Sequence, residues 1–110
     1  KRIFFLLLIF SIPNCLYAGD LLLGKEKAAI VCAACHGMDG QAASGGNSSL
    51  TPNITAQEKE YLLAKLKDYK SGKINHPQMS LIAQMLSDED IENVSEWYSK
   101  IKISIELPLE

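Results

Sequence analysis

An all-α domain is what this 110-residue sequence predicts, and three observations carry the prediction. Apolar residues recur at three- and four-residue spacing wherever the chain is periodic. Past position 18 no period-2 stretch is long enough to read as a strand. Helix start and stop residues bracket the periodic segments. The length holds one domain.

The opening "KRIFFLLLIFSIPNCLYA" stands apart. Lys1 and Arg2 precede an apolar run from Ile3 to Ile12, and Pro13 and Asn14 then soften it towards Ala18. That is the order of a secretory signal peptide, expected over residues 1–18 with cleavage after Ala18. Leu16 is bulkier than the small residue usual near such a cut. The apolar run is too short to span a bilayer, which takes about 20 residues, so no stable membrane insertion is expected once the signal is removed. Cys15 raises lipidation, but Asn14 stands where a small residue should precede a lipidated cysteine.

The 92 residues beyond the signal (110 less 18) form the expected domain, 19–110. They contain nine lysines, no arginine and 13 acidic residues, a formal charge of −4 (9 less 13). Such a chain lacks the basic face that nucleic acid requires. It suits an exported protein meeting its partners in solution. A domain this small sits close to the size at which a core alone is marginal, so an apolar group at its centre would help.

The first predicted helix runs from Asp20 to Val31, with Leu22, Leu23, Ala28, Ala29 and Ile30 as its apolar residues. Gly24 in its interior costs about 1 kcal/mol against Ala, and its use is to admit another helix. Residues 37–54 carry four of the seven glycines, three serines and a proline, and read as loop. A capping box at Thr55 and Glu58 opens a second helix with Leu62, Leu66 and Tyr69 as its stripe. Gly72 closes it. Pro77 blocks further helix, and a short helix covers Leu81 to Leu86. Ser87 caps the last helix, Asp88, Glu89 and Asp90 suit its positive end, and Ile91, Val94, Trp97 or Tyr98, and Ile101 form its buried face. The tail from Ser104 has no strong pattern.

Chemistry concentrates in "VCAACHGMDG", residues 31–40. A structural zinc site needs four ligands, usually as two pairs, and Cys32, Cys35, His36 and a distant His76 fit that poorly. A thioredoxin-type dithiol opens a helix beside a βαβ pattern, which this chain lacks. Covalent haem attachment uses all five positions of CAACH: two thiols for two vinyl groups, and His36 under the iron. Haem c is therefore the expected cofactor, and export agrees, because this thioether chemistry is completed outside the bacterial cytoplasm.

On these residues the chain resembles the small class I c-type cytochromes, especially the short bacterial monohaem kind, over Gly24 to Ile101. "GKEKAAIVCAACHGMDG" is similar to the family's first helix and haem motif, "PNITAQ" to its Pro-x-Leu-x-Gly-Gln with Ala56 for the usual Gly, and "YLLAKLKDYKSGK" to its middle helix. "MSLIAQMLSDEDIENVSEWYSKI" resembles its methionine segment and closing helix. Where the family often has Arg after "GK", this chain has Ile74 in place of one haem-propionate contact. The resemblance implies three to five helices wrapped around one haem. It also implies that the Pro52 carbonyl accepts the His36 ring N–H.

A sixth ligand would close the iron and, as a methionine sulfur, raise its potential. Met79 comes first: it lies 43 positions beyond His36 in an irregular stretch, and seven before Leu86 as the family's ligand does. His76 comes second, read otherwise as surface loop or a propionate partner. Met85 comes third, as a core methionine filling a gap. Met38 is too close to His36 in sequence to reach the opposite face. Gly24, Ala28, Val94 and Trp97 would form the crossing of the first and last helices, with Trp97 as core and not as an electron relay. Lysines 59, 65, 67, 70 and 73 and the acidic residues of 88–96 read as two solvated faces, or as a docking dipole.

The sequence therefore leads to a periplasmic electron carrier working between redox proteins such as a respiratory complex, an oxidase or a reductase. No nucleophile–base pair or catalytic pair of carboxylates speaks for independent catalysis. The alternatives are a haem subunit of a larger oxidoreductase, such as a flavocytochrome c sulfide dehydrogenase, and a gas-binding haem in which Met79 does not ligate.

Overall fold

The computed structural model describes residues 18–42 and 50–109. The signal-peptide and lipidation readings fall on residues outside these, Ala18 excepted. Among the described residues every regular element is helical: α1 (Leu21–Lys27), a π turn (Ala28–Cys32), α2 (Ala33–His36), α3 (Lys59–Ser71), α4 (Met79–Gln84) and α5 (Asp88–Ser99). None of these helices is long and apolar enough to cross a membrane.

The first predicted helix is longer than its apolar pattern and contains a π turn. In an α-helix each four-residue step overshoots a full turn by about 40°. The wider π turn undershoots instead, so Gly24, Ala28 and Cys32 stay on one side. That side meets α5. Gly24 and Ala28 are buried there, and a Cβ on Gly24 would collide with the Asn93 carbonyl and press on Trp97. The sequence reading of Gly24 as a point of close approach holds. Asn93, buried on α5, accepts the Asp20 N–H at 2.7 Å while Asp20 caps Leu23 at 2.8 Å, so the start of α1 is tied to α5 directly.

α5 begins where Ser87 predicted it, and Asp90 completes a capping box with Ser87 (Asp90 N–H to Ser87 Oγ 2.9 Å, Ser87 N–H to Asp90 Oδ2 3.0 Å). Of its expected face, Ile91, Val94 and Tyr98 are buried, whereas Trp97 and Ile101 are half-buried. Two apolar clusters result. Ala28, Leu62 and Tyr98 make one, with Cys32, Ile54, Trp97 and Ile101 against it. Leu63, Leu86 and Ile91 make the other, with Val31 and Leu66 against it. Adjacent Leu62 and Leu63 point about 100° apart on α3, which lets one helix serve both.

The start of α3 differs from the prediction. The helix opens at Lys59 with Glu58 before it and no side-chain cap. Thr55 instead donates its hydroxyl to the Asp39 carbonyl at 2.7 Å, and Ala56 turns with φ of 54° and donates its N–H to the Tyr98 carbonyl at 3.1 Å. Two tertiary bonds thus replaced a local cap worth about 1 kcal/mol. Gly72 ends α3 in the left-handed conformation, as expected. α4 starts at Met79, two residues before its predicted start, and ends at Gln84.

The lysines of α3 and the acids of α5 face each other. Lys59 reaches Glu96 (2.9 Å) and Glu92 (3.7 Å), Lys67 reaches Glu92 (3.7 Å), and Lys70 reaches Asp88 (2.8 Å). Of the charges read from sequence as two solvated faces or a docking dipole, Lys59, Lys67 and Lys70 tie α3 to α5, whereas Lys73 pairs with Asp68 and Lys65 lies over Tyr61.

Substituting Gly24→Ala forces backbone apart at the α1–α5 crossing, and the unfolding free energy should fall by about 2 kcal/mol or more despite the better helix former. Denaturant titration measures it. A second expectation concerns acid. The Lys59 hydrogen bond holds Glu96 below its ordinary 4.5 in spite of burial. Burial pushes Asp90 up, but bonds from Ser87 and Lys27 outweigh it and leave Asp90 below 3.8. Both groups are depressed in the fold, so their stabilisation is complete above those ordinary values and is lost as pH falls through the lower folded ones. Thermal midpoints should therefore stay level from pH 7 to about 5 and drop below about pH 4. Lys59→Met should remove up to about 1 kcal/mol near neutrality and flatten part of that drop.

Candidate haem-attachment site

Cys32 ends the π turn and Cys35 and His36 sit in α2, so the three fall at i, i+3 and i+4 on one side of a continuous helical stretch. Both cysteines are free thiols, Cys32 half-buried and Cys35 exposed. Burial pushes the Cys32 thiol up to about 11, which keeps it uncharged within its apolar cluster. A thioether at this position removes one ionisable group from the interior.

His36 is buried, and its Nδ1 lies 3.0 Å from the Pro52 carbonyl. A carbonyl only accepts, so Nδ1 carries the proton and Nε2 keeps the lone pair that a metal needs. The contact implied by the family resemblance is present.

Pro52 is held by its neighbours. The Ile54 N–H donates to the Gly40 carbonyl at 2.8 Å, the Ala42 N–H to Asn53 Oδ1 at 3.0 Å, and the Thr55 hydroxyl to Asp39. These bonds zip 39–42 against 53–55, and α5 clamps the near side of the zip. Trp97 Nε1 donates to the Met38 carbonyl at 3.0 Å, and the Tyr98 hydroxyl to the Gly37 carbonyl at 2.9 Å. Trp97 is a packing residue with a positioning bond, as its reading as core anticipated in part. The Tyr98 hydroxyl and Asn53 were missed from sequence. One signal was available for Tyr98: a tyrosine on a buried helix face must find a partner for its hydroxyl.

On the other segment, Met79 is the first residue of α4 and is half-buried. Its own N–H and that of Gln78 both donate to His76 Nδ1, at 3.1 and 3.2 Å. His76 is thus occupied at Nδ1 by backbone, and its ring stands edge-on to Tyr69. Met85 was expected in the core and is instead 70% exposed. Ala83 and Leu86 occupy the buried positions of that turn, which leaves Met85 on the other side. His36 and Pro52 are brought into contact; Met79 stands on a separate element, packed with α4 on α3.

The donor set suits haem. Two free thiols and an imidazole with its outer nitrogen fixed lie on one side of a helix, matching the two vinyl groups and the iron of one macrocycle. It does not suit zinc, since no group of three or more His, Cys, Asp or Glu able to hold a metal ion exists among the described residues.

Comparison with known proteins points the same way. The profile of the family described as Cytochrome c matches residues 22–102. Cytochrome c-554(548) of Halomonas halodenitrificans is 41% identical over 85 residues, covering 74% of this chain and 96% of that protein. Cytochrome c4 of Pseudomonas aeruginosa is 35% identical over 80% of this chain, which spans only 41% of its length. The crystal structure of reduced cytochrome c4 from Pseudomonas stutzeri superposes with a TM-score of 0.67 at 32% identity, over 80% of this chain and 48% of the other.

Tyr98→Phe tests the clamp. The Gly37 carbonyl loses its donor, and the unfolding free energy of the haem-loaded protein should drop by about 1–2 kcal/mol with the helical content unchanged. Guanidinium titration followed by far-ultraviolet circular dichroism reads both.

Proposed function

The chain belongs to the cytochrome c family, an electron-transfer family whose members carry covalent haem c, and from that premise we propose that it is a periplasmic carrier of single electrons between respiratory redox proteins. Residues 1–18 serve as the export signal and 19–110 as the carrier domain. Cys32 and Cys35 would form the two thioethers, and His36 and Met79 would ligate the haem iron. The observation that carries this reading is the His36–Pro52 contact beside two free thiols on one helical side.

When bound, the haem supplies a one-electron ferric–ferrous couple. The side chains provide the rest. Cys32 and Cys35 tether, so ligation survives both oxidation states. Pro52 fixes the plane of the His36 ring and makes Nε2 a better donor. The thioether sulfur of Met79, a soft neutral ligand, favours ferrous iron and raises the potential. With both side chains retained in either oxidation state, little of the protein would need to reorganise. His76 is less suited to ligation because its Nδ1 already receives two backbone N–H groups.

Absorption spectra of the haem-loaded protein and of Met79→Ala test the assignment. The wild type should give sharp low-spin c-type bands with the weak long-wavelength ferric-iron-to-sulfur band, and the variant should lose that band entirely and shift to a lower potential. Survival of the band in Met79→Ala moves ligation to Met85. A high-spin, carbon-monoxide-binding wild type replaces electron carriage with gas chemistry. Stable co-purification with a flavoprotein favours a haem subunit of a larger oxidoreductase.

A further inference from the structure

We propose that His76 is a positioning residue that sets how firmly Met79 is presented to iron; this rests on the reading of Met79 as ligand. α4 has six residues, too few to stabilise itself, because nucleating a helix is unfavourable and its first N–H groups have no internal partner. In this chain His76 supplies that partner. It stands three residues before Met79 and holds the turn that leads into α4, with Pro77 after it, whose missing N–H leaves nothing unsatisfied there. Its Nδ1 accepts from Gln78 N–H at 3.2 Å and from Met79 N–H at 3.1 Å.

The cap is closed from the other side by Ser80. Ser80 Oγ accepts the His76 N–H at 2.9 Å and donates to the Ile74 carbonyl at 3.2 Å, while the Ser80 N–H returns to the His76 carbonyl at 3.1 Å. The His76 ring is braced edge-on against Tyr69 of α3, centroids 5.8 Å apart at 69°. The backbone of Met79 is therefore tied through one imidazole to α3, the helix α4 packs on. An acceptor aimed at two N–H groups must carry its lone pair on Nδ1, which places the ring proton on Nε2.

The consequence lies in competition at the iron. A neutral thioether is a ligand that a stronger nitrogen donor can displace, and displacement requires the Met79 segment to move. Loosening the cap lowers the cost of that movement without touching the sulfur, the thioethers or His36.

Imidazole titration of the ferric haem-loaded full chain, followed through loss of the iron-to-sulfur band, reads that cost. His76→Ala should raise the apparent imidazole affinity about three- to tenfold, the size of one lost cap, and His76→Asn, whose amide oxygen can cap, should return it to within about twofold of wild type. Ser80→Ala, which removes the reciprocal bond, should raise it about two- to fivefold and serves where His76→Ala does not mature. The guanidinium midpoint followed by circular dichroism should fall as well in His76→Ala, because a lost cap also lowers global stability, whereas Lys59→Met, which lowers that midpoint through the α3–α5 contact, should leave the imidazole affinity unchanged. Unchanged imidazole affinity in both His76→Ala and Ser80→Ala, or an Asn variant no better than Ala, overturns the proposal while leaving Met79 ligation intact. A wild type without the sulfur band overturns the ligation reading itself, and this proposal with it.

Discussion

The close crossing of α1 and α5 at Gly24 decides where every other part of the site can be. Because no side chain stands between the helices there, the backbone of Asn93 lies against that of α1. One turn further along α5, Trp97 and Tyr98 then arrive within hydrogen-bond reach of the carbonyls that follow His36. Any residue larger than glycine at 24 would push α5 outward and lengthen both bonds together. The packing of two helix backbones and the orientation of an imidazole are thus one geometric condition.

Charge has a different part in the molecule. Lysines on α3 and acids on α5 are close enough to neutralise one another, and Lys27 adds a link from α1 to Asp90 at 3.1 Å. Each exposed pair is weak because solvent screens it, yet together they tie α3 to α5 around the site. In the interior the rule is neutrality. Burial holds both Cys32 and Tyr98 in their uncharged forms.

The parts of the fold legible in the sequence were those fixed by neighbours in the chain. Ser87, Asp90 and the Ile91–Val94–Tyr98 spacing specify α5 without reference to anything distant, and the CAACH spacing brings its own three side chains to one side. Contacts across long separations were harder to see. Thr55 had a local use as a cap and a distant one at Asp39, and sequence pattern alone favours the local use. His76 has one ring for several possible partners, and only the fold shows which atoms it meets. Met85 was placed in the core because a methionine in an apolar run has no mark of direction, and Ala83 and Leu86 take the buried positions of that turn. Pro52 was found because a family pattern, and not its own chemistry, singled it out.

The π turn between Ala28 and Cys32 makes the first helical stretch two rulers joined end to end. Upstream, spacing is set by contact with α5; downstream, it is set by the need to keep Cys32, Cys35 and His36 on one side. The wide turn takes up the mismatch between them, as a leap day reconciles two calendars. Deleting a single residue from this stretch would leave a perfectly regular α-helix, and in that regularity one of the two scales would have to be wrong.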